Sequence, residues 1–136
     1  MDLRNYEELP DVLPVEEIAL MFKEVLEMYS QNSIEKIEFL NILSELTDRQ
    51  VMTYEILNED LKLKVDKELC NIWNTDSYKE VDIILSIVVN LGLERCFQKI
   101  KLSLNNNENI SKEIKSEIED TIEEVGDDIS NPYSNL

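Results

Sequence analysis

The chain contains no histidine, and that absence removes more chemistry than any residue present supplies. Without imidazole there is no common general base, no Ser-His-Asp or Cys-His nucleophile pair and no His-containing zinc site. Glycine is almost as scarce, with Gly92 and Gly126 alone, so a Gly-rich phosphate-binding loop cannot be assembled. An all-β domain needs turn residues every ~8–12 positions, and two glycines and three prolines, Pro10, Pro14 and Pro132, do not supply them. Basic residues are few, at 13 against 30 acids. No segment approaches the roughly 18 consecutive apolar residues of a membrane span. The first thirteen residues carry one base, four acids and no apolar run, unlike a secretory leader. The expected location is cytoplasmic.

Cysteine is limited to Cys70 and Cys96. Each falls within an apolar helical pattern and their spacing is not that of a metal site, so both read as buried free thiols, with a single disulfide as the alternative.

What remains is a chain of 136 residues that is 43% hydrophobic and rich in Leu, Ile, Glu and Lys. Its length suits one domain able to bury about 65–70% of its unfolded surface. Scarce breakers and good helix formers predict an all-α fold. The apolar periodicity predicts about seven helices. The first runs from Val15 to Ser30 behind Pro14, and a second is capped by Ser33 and carries Ile34, Ile37, Leu40 and Leu43. A third is capped at Thr47-Asp48 and runs through Val51, Met52, Tyr54, Ile56 and Leu57. A fourth starts at Asp60, where Leu61, Leu63 and Val65 locally mimic a strand but Leu61, Val65, Leu69, Ile72 and Trp73 fit a helix. Asp76 caps a fifth, the most hydrophobic segment and the expected buried centre, which ends at Gly92. Leu93 to Leu104 forms a sixth, and Asn105 to Asn109 a polar loop. Ser111 caps a seventh, with Ile114, Ile118, Ile122 and Val125 on its apolar stripe. Residues 15–126 form the expected domain, between an acidic irregular segment (1–14) and an irregular tail (127–136). Short loops make neighbouring helices antiparallel, and the choice lies between a compact helical bundle and a short, degenerate α-solenoid of HEAT-like helical pairs.

The formal net charge of -17 weakens the compact state by self-repulsion, and solubility alone does not require it. The functional reading is a surface for a basic protein, and solvated helix faces are the alternative. The same sign opposes direct binding to nucleic acid or to an anionic membrane. In the last helix, 100° per residue places Glu113, Glu117, Asp120 and Glu124 on one flank, about 4.5–6 Å apart along the axis. Asp127 and Asp128 continue that acidic run, and Tyr133 in the tail can touch a partner or pin the tail. A flexible acidic stretch of Glu7, Glu8, Asp11, Glu16 and Glu17 is a second candidate surface. Trp73 and Tyr78 are either interface anchors or core aromatics. Glu117 with Asp120, near Glu123-Glu124, has the spacing of a magnesium-binding motif of all-α nucleotide pyrophosphatases. The facing motif on a second helix is absent, so no catalytic residue, metal or cofactor is expected and the chain reads as no enzyme.

Two stretches carry a family likeness. The run Asn90-Leu-Gly-Leu-Glu-Arg-Cys-Phe97, and the acidic helix end Glu123-Glu-Val-Gly-Asp-Asp-Ile-Ser-Asn-Pro-Tyr133, resemble immunity proteins of bacterial contact-dependent growth inhibition and related polymorphic toxin systems. The resemblance implies a cytoplasmic antidote that binds one cognate toxin domain tightly and blocks its active site; the sequence leaves the oligomeric state open, with a monomer in the complex favoured. Such toxins are often nucleases with basic clefts, which the acidity of this chain would match. A non-enzymatic acidic adaptor for a basic partner is the rival expectation.

Overall fold

A computed structural model describes residues 6–106 and 110–126, and they are all-helical. Six helices follow one another: α1 (Val15–Ser30), α2 (Lys36–Val51), α3 (Glu59–Ile72), α4 (Tyr78–Leu91), α5 (Glu94–Asn106) and α6 (Lys112–Val125). No helix among the described residues is long and apolar enough to cross a membrane.

Among the described residues the count is six rather than about seven, because the expected second helix runs on through the start of the expected third and the rest of the third is not helical. Thr47 does not cap a new helix. Its hydroxyl donates to the Leu43 carbonyl at 2.7 Å, within the continuous α2. After Val51 the chain turns instead of winding on. Gln50 Nε2 donates to the Glu55 carbonyl at 2.7 Å, Thr53 Oγ1 donates to the Gln50 carbonyl at 2.6 Å, and Tyr54 takes a positive φ of 57°. Met52, Tyr54 and Ile56 are consequently exposed, and of this run Leu57 alone enters the core.

Three expected caps shift by one or two residues. Glu35, not Ser33, precedes α2, and makes no side-chain cap. Asn58, not Asp60, caps α3, its Oδ1 accepting from the Asp60 amide at 2.9 Å. Ser77, not Asp76, caps α4. Asn and Ser are strong caps whose short side chains reach the N2 or N3 amide, and either neighbour satisfied the sequence pattern. Ser111 caps α6 as expected, through the Ile114 amide. The strand-like alternation at the start of α3 resolves as helix: Leu61 and Val65 are buried while Leu63 points to solvent.

The substantial helix contacts join elements one or two apart in order. α1 packs on α2 and α3, α2 on α4, α3 on α4 and α5, and α4 and α5 on each other and on α6. The result is a compact bundle of two layers, α1, α3 and α5 over α2, α4 and α6, with the contact order of stacked helix pairs. The pairs span residues 15–51, 59–91 and 94–125. These unequal lengths explain why the sequence shows no fixed repeat. Helix α4 lies at the centre and buries Val81, Ile84, Leu85, Ile87, Val88 and Leu91. Gly92, at φ 71° in the left-handed region, ends it and turns the chain directly into α5. Between α1 and α2, the Tyr29 and Phe39 rings stack at 4.2 Å.

Two buried charges close the ends of this packing. Asp66 on α3, 4% exposed, accepts the Arg95 and Cys96 amides at 3.0 and 2.7 Å. It caps α5 from another helix, where the dipole favours negative charge. Arg49 on α2 gathers the chain before α1. Its guanidinium donates to the carbonyls of Glu7, Leu9 and Pro10 and pairs with the Glu45 carboxylate. Tyr6 is buried, and Leu9 and Leu13 pack against the core. The acidic N-terminal stretch, expected to be flexible, is thus docked over its described residues from Tyr6 onward.

Replacing Arg49 with Met leaves the carbonyls of Glu7, Leu9, Pro10 and Glu45 without this donor. It should cost about 2–4 kcal/mol of stability in urea unfolding and expose the segment before α1 to protease. Burial pushes the Tyr6 phenol up to about 12, with Glu24 adding to the effect. Above pH 10 the unfolded chain releases this proton before the folded one does, so stability should fall as pH rises from about 10 to 12. Tyr6→Phe should flatten that part of the stability profile.

Candidate functional site

Among the described residues, helix α6 ends the stack and packs substantially on α4 and α5 alone. Its inward stripe consists of buried Ile114 and Ile118, with Ile122 and Val125 half-buried. That orientation leaves Glu113, Asp120 and Glu124 exposed along one flank, with Glu117 half-buried among them. Within its length, α6 has six acids and two lysines, and no base in its last turn. Glu123 and Glu124 therefore stand at the negative end of the helix dipole, where carboxylates are disfavoured. Asp127, Asp128 and Tyr133, also expected at this surface, lie outside the described residues.

The acidic flank does not stop at α6. Tyr78, the first residue of α4, donates its hydroxyl to Glu117 Oε2 at 3.2 Å. Its phenol is raised above the ordinary tyrosine value, first by the Glu117 charge and hydrogen bond, then by burial, Asp82 and Glu113. Those four residues form one patch across two helices, with a 44%-exposed aromatic ring at its centre. Sequence reasoning placed Glu113 and Glu117 but missed Asp82. The available signal was the four-residue step from Tyr78, which sets both on one face of α4. Trp73 separates from Tyr78: it is 8% exposed and its indole donates to Ser103 Oγ at 2.8 Å. It is a core aromatic joining the end of α3 to α5.

The N-terminal candidates Glu7, Glu8, Asp11, Glu16 and Glu17 are all exposed. Asp11 joins Glu45 and Asp48 around an open cavity of about 510 Å³ at the end of α2. There the Asp48 carboxyl is raised by burial and by Glu45, against the lowering effect of Arg49. Bases gather elsewhere: Lys23, Lys64 and Lys67 line a cleft of about 280 Å³ between α1 and α3, together with Glu27 and Glu68. Charge is thus unevenly spread, and α6 is a strongly anionic edge. Among the described residues, no three cysteine or carboxylate side chains are grouped closely enough to hold a metal ion. No family model, curated protein or solved structure matches this chain.

The Tyr78 environment is directly measurable. With tyrosine labelled at the ring carbon that bears the hydroxyl, NMR should show Tyr78 ionising at higher pH than an ordinary tyrosine, because nearby carboxylates disfavour phenolate. Glu117→Gln should shift that transition down. Glu119→Gln should leave it in place.

Proposed function

We propose that this chain is an immunity protein that neutralises a bacterial toxin domain, a nuclease, by covering its basic active site with the acidic face of α4 and α6. The observation that carries this reading is the patch of Asp82, Glu113 and Glu117 around the exposed Tyr78 ring, continued along α6 by Asp120 and Glu124. Electrostatics and shape support it together. A row of carboxylates about 4.5–6 Å apart along a helix offers lysine and arginine of a nucleic-acid-binding cleft the charge they are built to meet. A half-exposed tyrosine within that row supplies the aromatic contact enriched at interface centres.

The arrangement also has a local cost that a partner would offset. Like charges at i, i+4 and acids in a helix's last turn each destabilise α6 slightly. Cations docked against them convert that repulsion to attraction. Long-range attraction would speed encounter, and the few desolvated contacts would set the lifetime of the complex. Blocking the toxin requires occupation of its cleft and no bond chemistry, in keeping with a histidine-free chain. The resemblance from Asn90 onward supports the same reading, and the cytoplasm is where such an antidote acts.

Immunity genes lie directly after their toxin genes, so the protein encoded immediately upstream is the probe. Wild type should form a one-to-one complex with its toxic domain and protect cells producing it. The triple variant Glu113→Lys, Asp120→Lys, Glu124→Lys, which retains the Glu117–Tyr78 bond, should associate about 10–100-fold more slowly at low salt and with a flatter salt dependence. An unchanged rate would remove this face from the interface. Absence of a wild-type complex would overturn the immunity reading itself.

A further inference from the structure

The two cysteines, in different helices, are brought to one carboxylate, that of Asp66, in the folded chain. Both are free, Cys70 half-buried on α3 and Cys96 fully buried on α5. Each cysteine perturbs the ionisation of the other, as near neighbours do. Both residues converge on one carboxylate oxygen: Asp66 Oδ1 accepts the Cys96 amide at 2.7 Å and lies 4.0 Å from Cys70 Sγ. The Lys99 ammonium, reaching from α5, donates to the Cys70 carbonyl. Two cysteines gathered at one carboxylate oxygen from adjacent helices of one layer, one of them half-buried, are neighbours of the kind a disulfide can join.

We propose that Cys70 and Cys96 form a reversible dithiol–disulfide pair that is oxidised by small-molecule disulfides of the glutathione class and staples α3 to α5. Cys70 reacts first, because it is the more exposed thiol. Its thiolate attacks one sulfur of the small disulfide. That S–S bond breaks, a small thiolate leaves and takes up the Cys70 proton, and a mixed disulfide remains on Cys70. The Cys96 sulfur then attacks Cys70 Sγ, expels the second small thiolate and passes its own proton to it. Two electrons have moved from the protein to the small disulfide, which departs as two thiols.

The environment sets the rate. Burial raises both thiols above the ordinary cysteine value, and Asp66 adds to this at each. At Cys70 the nearby Cys96 side chain, Lys99 and Arg95 act in the opposite direction. Cys70 is therefore the better nucleophile of the two, yet slow at neutral pH. In the reduced chain, the contact between the second and third helix pairs rests on packing, on the Asp66 cap and on the Trp73–Ser103, Lys99–Cys70 and Tyr78–Glu117 hydrogen bonds. In the oxidised chain it is covalent.

The test uses the full chain and oxidised glutathione at pH 8.5, read by intact mass and peptide mapping. Wild type should lose about 2 Da, yield one Cys70–Cys96 cross-linked peptide and melt several degrees higher, since the bond closes a long loop. A reductant should reverse all three changes. Cys96→Ser should stop at a single glutathione adduct on Cys70, and Cys70→Ser should react at least tenfold more slowly than wild type. A persistent adduct on wild-type Cys70 without cross-linking would overturn the proposal. So would a folded chain that fails to react while its urea-unfolded form cross-links under the same conditions.

Discussion

Helix α4 carries six buried aliphatic side chains, Val81, Ile84, Leu85, Ile87, Val88 and Leu91, and their removal from water opposes the repulsion within a chain of net charge -17. Each such burial stabilises by about 1.5–3 kcal/mol, and α4 is the helix against which α2, α3, α5 and α6 all pack. Every other feature depends on that contact. It sets the orientation of α6, and the orientation of α6 decides which carboxylates face solvent. It also brings Tyr78, at the start of α4, within hydrogen-bonding distance of Glu117.

Around this apolar centre, the buried ionic groups act at chain ends and junctions. Asp66 satisfies amides at the start of α5 that no local side chain caps. Arg49 satisfies carbonyls in a stretch with little regular structure of its own. In both cases a charge is kept away from water because several backbone groups replace its hydration. The same two residues organise the neighbourhoods where the chain is chemically most distinctive. Asp66 lies beside the Cys70 thiol and the Cys96 amide, and Arg49 stands beside the acidic cavity of Asp11, Glu45 and Asp48. An excess of negative charge thus coexists with an apolar core because Asp66 and Arg49, the buried charges, each have several partners.

The acidic edge was partly legible before any fold was known. A helix whose stripe is Ile114, Ile118, Ile122 and Val125 must turn Glu113, Glu117, Asp120 and Glu124 along one flank, because 100° per residue leaves little choice. Asp82 and Tyr78 were not legible as members of that surface. They reach it from another helix, and nothing within α4 announces that α6 lies beside it. Trp73 and Tyr78 illustrate the same limit. Five residues apart and similar in kind, they divide into a core indole bonded to Ser103 and a surface phenol bonded to Glu117.

Local pattern alone determined the all-helical class, the span of α1, the central place of the Val81–Leu91 segment, the turn at Gly92 and the cap at Ser111. Each depends on interactions within a few residues along the chain, which periodicity and capping chemistry report directly. Tertiary structure decided that Thr47 continues a helix instead of starting one, that Arg49 ties down the segment before α1, and that the helices form two stacked layers. It also decided that Cys70 and Cys96 are gathered at Asp66. These are contacts between distant residues, set by which apolar faces can be buried together, and a one-dimensional pattern carries the faces but not their pairing.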